Sequence, residues 1–124
     1  MAQTAPQKRE PAGAPDLPAI DRGHLEHMTF GDRSLEHEVL ELFDSQAAML
    51  IVRMRAGGEA ALGPLAHTLK GSAAGVGANR VVQAAEAAER VAGSGAVACS
   101  QAVDRLAQAV DEARALIAEL LREK

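Results

Sequence analysis

His67 and Lys70 stand three residues apart, with Gly71 next, in the run His67-Thr68-Leu69-Lys70-Gly71-Ser72-Ala73-Ala74-Gly75-Val76-Gly77-Ala78. On a helix this spacing puts the imidazole and the ammonium on one face, a turn apart. A neutral imidazole nitrogen is a good nucleophile near pH 7, and exposure leaves it free to attack an electrophilic phosphorus. A lysine one turn further on can stabilise the phosphoryl oxygens. Gly71 removes a side chain from beside the ring, and Ala74 keeps the following turn low. A partner carrying a phosphoryl group could then approach the in-line geometry that transfer requires.

Rotating each residue by about 100° separates two faces of this helix. Leu62, Leu65, Leu69, Ala73 and Val76 fall on one side, with Ser72 at the margin. His67, Lys70, Gly71 and Ala74 fall on the other, continued upstream by Ala60, Gly63 and Pro64. A core histidine would point the opposite way. Glycine on an exposed helical face costs about 1 kcal/mol against alanine, which favours clearance as the role of Gly71. The phosphate must come from outside the chain. Lys70-Gly71-Ser72 has the residues of a phosphate-binding G-x-x-x-x-G-K-[ST] loop in the wrong order and inside a helix, and no carboxylate cluster for Mg²⁺ is evident.

The elements that must hold this face are helical. Asp21 is suited to cap a short helix ending near Met28, with Ile20 and Leu25 as its hydrophobic staple. Asp32, in preference to Ser34, caps a second helix reaching about Ala56, with Leu35, Val39, Leu42, Phe43, Gln46, Met49, Leu50 and Arg53 at three- and four-residue spacing. Gly57-Gly58 ends it. The third helix runs from about Glu59 to Val76, with a bend or loosened turn expected at Pro64 and with Gly77 as its left-handed stop. Asn79 is expected to cap a fourth helix, from about Arg80 to Ala92, that buries Val81, Val82, Ala85 and Ala88. The last, from about Val97 to Arg122, carries Val103, Leu106, Val110, Ala113, Ile117 and Leu120 in near-heptad spacing. The expected fold is all-α: an up-down four-helix bundle over residues 19–124, a short extra N-terminal helix, and a disordered arm over residues 1–18, which hold four of the five prolines.

Composition narrows the function further. At 124 residues the chain is of one-domain length, and with only 2% aromatic residues Ala, Leu and Val must fill its core. A net charge of −4, with acids and bases interspersed and no aromatic platform, gives no nucleic-acid surface. No apolar run approaches bilayer length and no signal peptide is evident, so a cytoplasmic location is expected. Cys99 has no partner for an intrachain disulfide or a metal pair, and reads as an inert, partly buried helix residue. His24, His27 and His37 make a poor metal-ligand set, and the two on the first helix are expected on its exposed side. Met28, Met49 and Met54 read by default as core filler.

The run from His67 to Ala73, followed by Val76-Gly77-Ala78, resembles the signature of histidine phosphotransfer (HPt) domains, and the flanking helices extend the likeness over roughly residues 20 to 122. The resemblance implies a monomeric bundle relaying phosphoryl groups between aspartates of response-regulator receiver domains, or from a sensor histidine kinase, without kinase activity of its own. By position His67 would be the phospho-acceptor, at Nε2, Lys70 its charge partner and Gly71 the clearance residue. Docking is expected at Pro64 and Ala74 and, on the first helix, at His24 and Met28. The chain itself would need no cofactor, the Mg²⁺ being on the partner receiver. The competing reading is a non-catalytic adaptor that binds its partner through the helix-three face.

Overall fold

A computed structural model describes residues 17–123, which form five helices and, among those residues, no strand. They are α1 (Arg22–Met28), α2 (Arg33–Gly57), α3 (Glu59–Val76), α4 (Asn79–Val91) and α5 (Ala96–Arg122). α2 packs on α3 and α5, and α4 packs on the same two, so the four long helices close a ring around one core. Gly58 alone joins α2 to α3, and Gly77-Ala78 joins α3 to α4. Connections this short force neighbours to run antiparallel. The short α1 packs against α3. The all-α bundle with its extra leading helix is therefore as the sequence indicates.

The helix ends follow local chemistry. The Asp21 carboxylate accepts the His24 N–H at 3.1 Å, and that of Asp32 accepts the Leu35 N–H at 3.1 Å. α3 ends in a Schellman turn, in which the Ala78 N–H donates to the Ala73 carbonyl at 2.9 Å and Gly77 takes φ 76°. The Gly77 carbonyl accepts the Asp21 N–H at 2.8 Å, and a Cβ on Gly77 would stand 2.9 Å from the Asp21 carbonyl oxygen. Gly77→Ala is accordingly expected to cost at least about 2 kcal/mol, through left-handed strain and this clash, as measured by denaturant unfolding.

Three expectations are corrected. Asn79 does not cap α4: the Schellman turn runs directly into the helix, so Asn79 is its first residue and Ala78 the cap, with no side-chain hydrogen bond. α2 buries Leu40, Phe43, Ala47, Leu50 and Met54, whereas Leu42 and Met49 of the expected stripe are exposed. Two apolar stripes run along this helix, and the one that includes Leu40, Ala47 and Met54 is packed into the core between α3 and α5. At the edge of the buried stripe Arg114 Nε donates to Asp44 at 2.7 Å and Arg55 to Asp104 at 3.0 Å, which ties α2 to α5. Met28 and Met49 are thus surface residues and only Met54 fills the core. Elsewhere the buried faces match the spacing. Leu62, Leu69, Ala73 and Val76 on α3, Val81, Ala85 and Ala88 on α4, and all six expected α5 positions are buried, with Leu65 and Val82 partly so. α3 holds its helical form through Pro64.

Of the arm expected over residues 1–18, residues 1–16 lie outside the described residues. Leu17 is half-buried, and its carbonyl accepts Arg80 Nε at 2.6 Å. At the α1–α2 corner Phe30 takes φ 56°, the one non-glycine among the described residues with positive φ, and is 90% exposed.

Small side chains set the α3–α4 spacing. Ala66, Ala73, Ala85 and Ala88 are fully buried, and a Cβ on Gly63 would stand 3.5 Å from that of Ala92. Packing this close brings polar side chains of α4 within reach of the outer face of α3.

Candidate functional site

His67 stands at mid-length on the outer face of α3 with its side chain 71% exposed, and no neighbouring bulk covers it. Gly71 and Ala74, on the turns that follow, are exposed, as is Pro64 on the turn before. A Cβ on Gly71 would meet nothing within 4 Å, so the bundle itself does not require glycine there. Thr68 is occupied with its own helix, its hydroxyl donating to the Pro64 carbonyl at 3.1 Å.

The ring is held from α4. His67 Nδ1 lies 2.9 Å from Glu89 Oε2, and the other oxygen of that carboxylate, Oε1, is 2.7 Å from Lys70 Nζ. Hydrogen bonds from Lys70 and then His67 hold the Glu89 carboxyl below the usual carboxylate range, so it is ionised at neutral pH. A carboxylate only accepts, so Nδ1 must carry the proton it donates. In the neutral ring the lone pair then rests on Nε2. One glutamate therefore fixes the tautomer of the histidine and anchors the ammonium beside it. The depressed value also gives the sign of the pH dependence. The clamp is at full strength above the ordinary glutamate range and weakens only as pH falls through the lowered value of the folded protein.

The sequence reading brought His67, Lys70, Gly71, Ala74 and Pro64 to one face but missed Glu89. A signal existed: His67 lies eleven residues before Ala78 and Glu89 eleven after it. In an antiparallel hairpin turning at that point the two positions stand level. The expected docking residues on α1 divide. Met28 is half-exposed, whereas His24 is partly buried, with Nε2 inside and without a hydrogen-bond partner. His24 therefore does not stand on the exposed side of α1 as expected, because that helix packs against α3; His27 does. Cys99 is buried, and its thiol lies 3.4 Å from the Ala92 carbonyl. No three His, Cys, Asp or Glu side chains among the described residues group as metal ligands. Among those residues no helix is long and apolar enough to cross a membrane.

The model of one protein family, described as the Hpt domain, matches residues 37–116, more than half of the chain and including every residue of the His67 cluster. Neither a curated protein nor a solved structure matches it.

Proposed function

The chain belongs to the Hpt domain family, whose members carry out histidine phosphotransfer with the kinases and response regulators of two-component phosphorelays, and on that premise we propose that His67 is the residue phosphorylated. The observation that carries the proposal is the clamp: an exposed imidazole whose Nδ1 is tied to Glu89 at 2.9 Å and whose Nε2 is left as the nucleophile.

In the forward step the Nε2 lone pair attacks the phosphorus of an aspartyl phosphate on a receiver domain. The P–N bond forms as the P–O bond to the aspartate breaks, and the carboxylate departs with the bonding pair. No proton need leave Nε2, because the clamp keeps it on Nδ1. The phosphorylated ring carries positive charge, which the Glu89 carboxylate stabilises. Lys70, anchored beside the ring at 2.7 Å from Glu89, supplies the cation nearest to the phosphoryl oxygens. The reverse step uses the same groups, so phosphate can flow in either direction. Gly71, Ala74 and Pro64 form the low surface that lets the partner's aspartate approach, and Met28 extends the contact. The full cluster lies on one chain, which supports action as a monomer, and the cytoplasm is where its partners would be met.

Incubation with a phosphorylated receiver domain, or with an autophosphorylated sensor kinase, is expected to give an acid-labile label on His67. ATP alone is expected to give none. A label on any other residue overturns the assignment. Glu89→Ala is expected to slow transfer roughly 10-fold or more, through loss of tautomer control, and ¹⁵N spectra of the ring should then show Nδ1 partly deprotonated at neutral pH. Unchanged spectra and rates would remove Glu89 from the mechanism.

A further inference from the structure

The Schellman turn that ends α1 requires a left-handed residue, and the chain places Phe30 there instead of glycine. Phe30 takes a left-handed conformation suited to glycine, with φ 56°, and it exposes 90% of an aromatic ring in a chain with only two. The corner around it is rigidly made. The Thr29 hydroxyl is buried and donates to the Leu25 carbonyl at 2.9 Å, and the Gly31 N–H closes α1 on the Glu26 carbonyl at 2.9 Å. The Asp32 N–H donates to the Thr29 carbonyl at 2.9 Å, and Asp32 caps α2. Glycine would make this stop without a Cβ penalty, so an almost fully exposed aromatic at the position calls for a role beyond the turn.

From this corner the apolar stripe of α2 that is left outside the core runs along the surface, with Leu42 69% and Met49 52% exposed. Because Gly58 alone joins α2 to α3, Met49 stands level with His67 and Leu42 with Ala74. The stripe borders the α3 face: one and two turns beyond Met49, Arg53 and Ala56 share a surface groove with Ala61 and Pro64. At about 1.5 Å per residue, Leu42 is roughly 10 Å from the level of His67 and roughly 14 Å from the start of α2, beside Phe30. A partner footprint of about 800 Å² has a radius of roughly 16 Å. One interface of ordinary size, centred near Leu42, therefore reaches both His67 and Phe30. Exposed Glu38 and Glu41 flank it. Phe30 also lies outside the family-matched residues 37–116, away from the shared chemistry.

We propose that Phe30 is an anchor by which this chain selects its receiver domain, at the far edge of the interface that brings the partner's aspartate to His67. The partner surface is apolar where it meets Phe30 and Leu42, and carries Lys or Arg opposite Glu38 and Glu41. The inference rests on the phosphotransfer reading of His67.

Phe30→Gly tests it, because glycine relieves the strain while removing the anchor. The variant would be profiled against the purified, phosphorylated receiver domains of the source organism, with phosphoramidate as a small donor that needs no docking. The melting temperature should stay at or above that of the parent, and phosphoramidate should label His67 at the parental rate. KM for the preferred receiver should rise about 10-fold or more, with kcat unchanged, and Phe30→Leu should recover part of the loss. An unchanged KM overturns the inference and leaves the phosphotransfer reading standing. Failure of every receiver and of phosphoramidate to label parental His67 overturns both. A dimer that dissociates on Phe30→Gly would assign the anchor to a second copy and overturn the choice of partner.

Discussion

His67→Gln is expected to leave a folded bundle that accepts no phosphoryl group from any receiver or kinase. The amide nitrogen of glutamine has its lone pair delocalised into the carbonyl and cannot attack phosphorus, so transfer should fall by at least about 10³-fold. Stability should barely move. The side chain is 71% exposed, and substitutions at such positions fall within about 0.5 kcal/mol of neutral. Lys70 retains its carboxylate at 2.7 Å, so the outer face of α3 keeps its one close ion pair to α4. Acid-labile label and a thermal melt on the same sample check both halves. Robust labelling of the variant would show that the phosphoryl group resides elsewhere.

Gly71→Gln should separate folding from function in the opposite sense. No atom lies within 4 Å of where the new Cβ would sit, and replacing an exposed helical glycine removes a cost of about 1 kcal/mol. The variant is therefore expected to unfold at higher denaturant. Its side chain would nevertheless stand one turn from the ring, on the face across which a partner must bring its aspartate to in-line distance. A misplacement of about 1 Å can cost roughly 100-fold, so transfer from a receiver should fall by that order or more. Phosphoramidate, which needs no docking, should still label His67. Gly71→Ala should fall between. Gain of stability with loss of transfer cannot be attributed to misfolding, and an unchanged rate would show that clearance at this turn is immaterial.

The parts of the molecule legible in the sequence were those fixed by neighbours along the chain. Asp21 and Asp32 cap the helices that follow them, Gly77 stops α3, and the heptad of α5 is buried at every expected position. The outer face of α3 was legible for the same reason, since one helical period decides which side chains share it. What escaped depends on a second helix. α2 offers two apolar stripes, and which of them is buried is settled by how it packs on α3 and α5. Glu89 looks like any surface acid of α4 until the hairpin register sets it level with His67. His24, read as exposed on α1, is partly buried by packing that no periodicity within seven residues could reveal.

The alanine-lined seam between α3 and α4 has a consequence for when the histidine is competent. The proton on Nδ1 is held there by a residue of the neighbouring helix, across a closely packed seam of small side chains. Whenever α4 frays from α3, the imidazole loses its enforced tautomer and the lysine its anchor together. On the proposed role of His67, a chain whose hairpin is ajar would still display its histidine but present the wrong nitrogen part of the time. Hydrogen exchange along α4 and the rate of phosphoryl uptake are then expected to change together.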